Sequence, residues 1–201
     1  MAILPVSKSV SAGRLAAALA VGMSTFAENR VQEAEAKAAE LHGSRWQLVG
    51  RLQSNKAARA VQLFEQIHSV DSVDLARRIG RLAADRGRAP YPIYVQVNVD
   101  DDPAKSGFAP AALENEIDAL AALDGLALLG LMTVGRDVAT AEQARPTFRA
   151  LRELSEQVRA RQPRLGPGLS MGMSHDFESA VEEGATVVRL GRVLFGERPT
   201  A

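Results

Sequence analysis

The sequence predicts a (β/α)8 barrel, an α/β fold of the TIM-barrel class, on three observations. Short β-like runs alternate with longer helical runs, there are eight such runs, and polar or basic residues collect just after them. A length of 201 residues suits one barrel of this kind, and residues 1–201 are read as a single domain. Closure of all eight strands leaves no open edge. The competing arrangement is an open doubly wound sheet.

The elements follow in order. Residues 3–7 read as the first strand, and 11–21 as an Ala- and Leu-rich helix that Gly22 ends. A second strand covers 24–27, a helix 31–41, a third strand 46–49 and a short helix 55–63. The fourth strand is 67–70, followed by a helix over 72–86 with Asp71 or Ser72 as N-cap. Ile93-Tyr94-Val95-Gln96-Val97 forms the fifth strand, 110–123 a helix, and 126–134 a sixth strand that is apolar throughout, as burial on both faces demands. A long helix over 140–161, a strand over 168–171, a helix over 175–183 and a strand over 186–190 complete the series. Seven helices lie between the strands. The eighth covering position is expected to be empty, because 195–201 is short and holds Pro199 and nothing helical precedes the first strand.

Composition narrows the function classes. Twenty-four basic residues balance twenty-four acidic ones, which gives no global attraction to nucleic acid or to an anionic membrane. The absence of cysteine excludes disulfides, thiolate metal sites and thiol nucleophiles. Apolar runs such as Gly125 to Val134 reach about half of the roughly 20 residues that span a bilayer, and the N-terminus lacks the pattern of a signal peptide. A cytoplasmic location is expected. His42, His68 and His175 lack metal-ligand spacing, and no metal site is expected. His68, within a strand, reads as a structural histidine.

In a barrel the chemistry sits where strands end. Lys8 ends an apolar strand, so its amine belongs in the mouth, where partial desolvation favours the neutral nucleophile; a snorkelling rim lysine is the plainer reading. Ser170-Met171-Gly172-Met173-Ser174 and Gly191-Arg192 are small-residue loops after strands seven and eight, the usual phosphate position of such barrels. Ordinary capping by Ser174 is the alternative. Arg189 alternates with Val188 and Leu190, and a buried guanidinium there calls for a partner such as a cofactor ring nitrogen or Glu28. The stretch Arg51-Leu52-Gln53-Ser54-Asn55-Lys56 reads either as an anion binder or as a solvated helix start.

Taken together, Val6-Ser7-Lys8, Phe26-Ala27-Glu28-Asn29-Arg30, Trp46 to Lys56, His68 to Ser72, Gly130-Leu131-Met132-Thr133, Leu169 to Asp176 and Val188 to Gly196 resemble the pyridoxal phosphate homeostasis protein family. The resemblance runs from Lys8 to Gly196. It implies a barrel like the N-terminal domain of alanine racemase, with pyridoxal 5′-phosphate (PLP) held as an imine on Lys8. It implies phosphate contacts from Ser170 or Ser174 and from the backbone of Gly191 and Arg192, Arg189 near the pyridine nitrogen, and Asn29 and Met171 near the ring. An arginine at that nitrogen weakens the ring as an electron sink. Two departures stand out: the family usually carries a helix before strand one, and it tends to have Ser or Thr where this chain has Arg192.

The function implied is a PLP-binding protein that carries and buffers the cofactor without efficient catalysis, as a monomer or weak dimer, with PLP-dependent apo-enzymes as recipients and with neither nucleic acid nor membrane as partner. A PLP-dependent amino-acid racemase is the alternative. It needs a second base, and the only tyrosines, Tyr91 and Tyr94, lie away from the strand ends. A barrel for another phosphorylated ligand is the third reading.

Overall fold

The computed structural model describes residues 1–196. Eight parallel strands run β1 (Ala2–Pro5), β2 (Thr25–Glu28), β3 (Arg45–Leu48), β4 (Gln66–Val70), β5 (Tyr91–Gln96), β6 (Leu126–Met132), β7 (Gly168–Met173) and β8 (Val187–Leu190). The hydrogen-bonded order is β1-β8-β7-β6-β5-β4-β3-β2, each strand beside its sequence neighbour except where β8 returns to β1. The remaining gap, between β1 and β2, is bridged by a single Val6–Ala27 pair and by the Ser7 amide, which donates to the Ala27 carbonyl at 2.9 Å. The cylinder is therefore closed, with one lightly paired seam.

Helices α1 (Ala12–Ala20), α2 (Val31–Glu40), α3 (Ala57–Leu63), α4 (Val73–Ala84), α5 (Pro110–Ala121), α6 (Ala141–Arg161) and α7 (Phe177–Glu182) follow the strands in turn. Local chemistry sets their ends. Ser72 caps α4, its hydroxyl accepting from the Leu75 amide at 3.2 Å. Gln143 reaches back to the Thr140 and Ala139 amides at the start of α6. Gly22, at φ +91, stops α1.

Past β8 the chain makes one further turn, α8 (Arg192–Phe195), so the eighth covering position is not wholly bare as the sequence suggested. Ile3 on β1 remains 54 % exposed.

The main apolar core lies between the strands and the helices, with Trp46, Phe26, Phe64, Phe148 and Ile67 among its largest buried members. The barrel interior is smaller and more polar. Leu4, Ala27 and Val49 form an apolar cluster there, with Val6 and Val187 against it. Next to them stand the buried side chains of His68, Ser170 and Arg189. Strand pleating explains the division: Leu4, Val6 and then Lys8 face the axis, while Ser7 faces the helices.

Candidate functional site

The C-terminal ends of the strands open onto a mouth cavity of about 490 Å³, a size suited to a small-molecule cofactor. Lys8, Asn29, Ser174, Arg189, Gly191 and Arg192 all line it, so six of the eight residues singled out in the sequence meet at one hollow. Lys8 also borders two neighbouring hollows, and its side chain makes no hydrogen bond or ion pair among the described residues. Its amine is therefore presented to ligand space on several sides.

Lys8 is held by its backbone neighbours. The buried Lys37 ammonium, from the inner face of α2, donates to the Ser7 carbonyl at 2.7 Å, to Glu28 Oε1 at 2.5 Å and to Glu33 Oε1 at 2.9 Å. Ser7 donates its hydroxyl to Glu28 Oε1 at 2.7 Å, and the Ser9 amide donates to Glu33 Oε1 at 2.9 Å. Both residues flanking Lys8 are thus tied to one ionic cluster. Ser9 sits at φ +63, an unfavourable conformation for a side-chain-bearing residue, and the cluster holds it there. Partial burial pushes the Glu33 carboxyl up, but hydrogen bonds from Lys37 and from Ser9 outweigh this and hold it below the usual range.

Arg189 is 4 % exposed and spans the floor of the mouth. It donates to the Ser170 carbonyl at 2.6 Å, to Ser170 Oγ at 3.0 Å and to the Thr133 carbonyl at 2.7 Å. All three acceptors are neutral. Burial lowers its pKa to about 10, with the Asp176 carboxylate pushing back, so the guanidinium stays charged at neutral pH. Glu28 is not its partner, because the pleat that turns Ala27 toward the axis sends Glu28 outward to Lys37.

Two expectations are corrected here. Ser170 is fully buried and lines no part of the mouth: it supports Arg189 from below and meets His68 Nδ1 at 2.9 Å. On its other side the ring's Nε2 lies 2.9 Å from both Gln47 Oε1 and Gln66 Nε2, so His68 is tied to β3, β4 and β7. Met171 is also fully buried and belongs to the core between strands and helices. Met173 lines the mouth instead. The pairing of β7 with β8 shifts register between Ser170 and Met173, and Gly172 takes φ +88 there. This bulge reverses the alternation and aims Met173 at the cavity.

Ser174 Oγ accepts from the Gly191 amide at 3.1 Å and stands at the cavity wall, so the loops after β7 and β8 are joined directly. Arg192 is exposed beside them. His175 and Asp137, not singled out as site residues in the sequence, also stand on the wall. Neither tyrosine reaches it: Tyr91 Oη donates to the Phe64 carbonyl at 2.6 Å, and Tyr94 stacks on His68. No helix among the described residues is long and apolar enough to cross a membrane.

An anionic aldehyde fits this donor set. It would meet an unengaged primary amine, a buried cation bound only to neutral acceptors, and a hydroxyl and amide at a loop junction.

The family model for the alanine racemase N-terminal domain matches residues 1–199. The pyridoxal phosphate homeostasis protein of Aquifex aeolicus is 40 % identical over 179 residues, covering 88 % of this chain and 78 % of the relative. Its counterpart in Pseudomonas aeruginosa is 39 % identical over 199 residues, covering 98 % and 84 %. Among solved structures, PipY of Synechococcus elongatus PCC7942 with PLP bound superposes at a TM-score of 0.90 with 42 % identity, covering 98 % of this chain and 92 % of that one. An alanine racemase of Clostridium difficile 630 shares the fold, at a TM-score of 0.75 with 19 % identity, over 100 % of this chain and 52 % of its own. The chain belongs to the pyridoxal phosphate homeostasis protein family, built on the barrel of the alanine racemase N-terminal domain.

Proposed function

We propose that this barrel, working as one domain, binds PLP at the mouth cavity and serves intracellular PLP homeostasis as a carrier and buffer. Lys8 provides the amine, Arg189 faces the ring nitrogen, and Asn29 and Met173 flank the ring. Ser174, Gly191 and Arg192 take the phosphate. When bound, the cofactor supplies an aldehyde that condenses with a primary amine. The observation that carries the reading is the Lys8 side chain, without a partner among the described residues and lining a cavity that also presents Arg189, Ser174 and Gly191. The PLP-bound PipY structure, alike in fold at 42 % identity, supports it.

The chain's own residues account for retention better than for turnover. Lys37 and Glu33 hold the backbone on both sides of Lys8, and Ser170 holds Arg189. Arg189 is charged and already directed at its acceptors, so it leaves a facing nitrogen unprotonated, which weakens carbanion chemistry. Delivery to PLP-dependent apo-enzymes in the cytoplasm, by a monomer or weak dimer, is the route proposed for the bound cofactor.

The test is a visible spectrum after incubation with PLP, then borohydride reduction and mass mapping. A long-wavelength band and a pyridoxyl adduct on Lys8 are expected, both lost in Lys8→Ala. An adduct mapped to other lysines, with none on Lys8, rejects the assignment. Exchange of an amino acid's α-hydrogen in D2O, dependent on Lys8, would instead favour a racemase.

A further inference from the structure

The loops after β1 to β4 enclose a second hollow, an open cleft of about 890 Å³ beside the mouth. Lys8 and Asn29 belong to the walls of both. Beyond that shared wall the cleft carries Arg30 from the end of β2, Arg51 from the loop after β3 and Lys56 from the 3-10 turn before α3. Asp71 is the one carboxylate on the wall among the described residues. The whole chain is neutral, with 24 residues of each sign, so four cations against one carboxylate is a local concentration of charge.

These cations are also under-used. Arg30 has no side-chain hydrogen bond or ion pair among the described residues, Lys56 reaches only Gln32 Oε1 at 3.4 Å, and Arg51 approaches Asp71 only to 3.7 Å. Several arginines elsewhere on the surface hold closer carboxylate partners: Arg59 with Glu35, Arg77 with Asp74, and Arg145 with Glu142.

We propose that the cleft is a binding site for a small organic phosphate, distinct from the mouth cavity. The donors come from the ends of three different strands and from a helical turn, so they surround a volume. That suits the three outward oxygens of a phosphate monoester. A flat carboxylate is satisfied by one arginine fork. The Ser54 and Ser72 hydroxyls on the same wall add neutral donors. Because Lys8 is common to both hollows, a phosphate held here lies next to the amine from the side opposite the β7 and β8 loops. The distinctness of the two sites rests on the placement of PLP in the mouth.

The experiment is a titration with inorganic phosphate, followed by calorimetry, on two samples: the free protein, and protein loaded with PLP and reduced with borohydride so that the mouth is filled. Phosphate should bind both. Arg30→Ala and Arg51→Ala should each weaken it by about fivefold, and by more together, without changing PLP uptake. Succinate should bind more weakly than phosphate. Loss of phosphate binding in the reduced sample, indifference to both substitutions, or tighter binding of succinate would each overturn the proposal. If no adduct forms on Lys8, it is the mouth assignment that fails. The free protein then decides the cleft alone, since binding lost in Arg30→Ala but kept in Ser174→Ala still supports it, and the reverse rejects it.

Discussion

Lys37 shows how much one buried side chain can govern. Its three ammonium protons all have acceptors, and removing them leaves Glu28, fully buried, without its counter-charge. Breaking a buried pair by deleting one partner costs roughly 3–5 kcal/mol. Lys37→Met should therefore lower the urea midpoint strongly and, in whatever fraction stays folded, slow formation of the PLP band by freeing the Lys8 backbone. An unchanged midpoint would show that Glu28 finds another partner. The sequence contains a sign of this cluster. Val31, Ala34 and Lys37 recur at helical spacing on the buried face of α2, with buried Leu41 just past its end, and a lysine stands where an apolar residue belongs. Lys8 and Gly191 were readable because each lies just past the end of a strand, and Arg189 because it alternates with Val188 and Leu190. The partners of Arg189 were not readable, because they are two carbonyls and a hydroxyl that no residue type announces.

His68 makes a second prediction at this scale. Burial, and secondarily the nearby Arg189 charge, lowers its pKa from 6.5 to about 3. The unfolded chain takes up a proton below 6.5, and the folded one resists until about 3, so this residue makes stability fall as pH falls through that window. The slope is at most roughly 1.4 kcal/mol per pH unit. Urea midpoints measured from pH 7 down to pH 4 should show the decline. His68→Gln, less stable at pH 7, should show a flatter one; an equally steep decline in the variant would assign the effect to other groups.

At the scale of elements, β7 decides which face the β7–α7 loop presents. Gly172 combines φ +88 with a close approach, since a Cβ there would lie 2.6 Å from the Ala180 Cβ of α7. Gly172→Ala should destabilise the fold by a few kcal/mol and displace Met173 and Ser174, weakening PLP retention more than the loss of stability alone explains. Equal retention at a matched folded fraction would argue against this role for the bulge. Met171 came from the family resemblance; strict alternation would put Met171 and Met173 on one face, and only the bulge between them aims Met173 at the cavity, a turn that a glycine between two methionines does not reveal. Most element positions were readable, because the strands are short runs bounded by turn residues and the helices have a cap, a glycine or a proline near their ends, whereas the single turn α8 was not.

At the scale of the molecule, eight parallel strands were readable from alternation alone, but the manner of closure was not. Neighbouring strands share regular pairs, whereas β1 and β2 share one bridge and the bonds of Ser7. Such a joint is made by the backbone of the residues just past β1 and the Ser7 hydroxyl, which leave no periodic trace. Hydrogen exchange should find the Ser7 amide, on that joint, less protected than the Tyr91 amide, which donates to Gly125 on the opposite side of the cylinder. Equal protection would mean that the seam opens only with the whole barrel.

The seam has a consequence for the ligand. The residues that bolt the cylinder shut, Val6 and Ser7, immediately precede the one whose amine faces the mouth. A molecule anchored at once to Lys8 after β1 and against Asn29 after β2 would brace the wall on both sides of this joint. Occupancy would then set how readily the cylinder unlatches, and a carrier built this way would be most rigid when full and easiest to pry apart when empty.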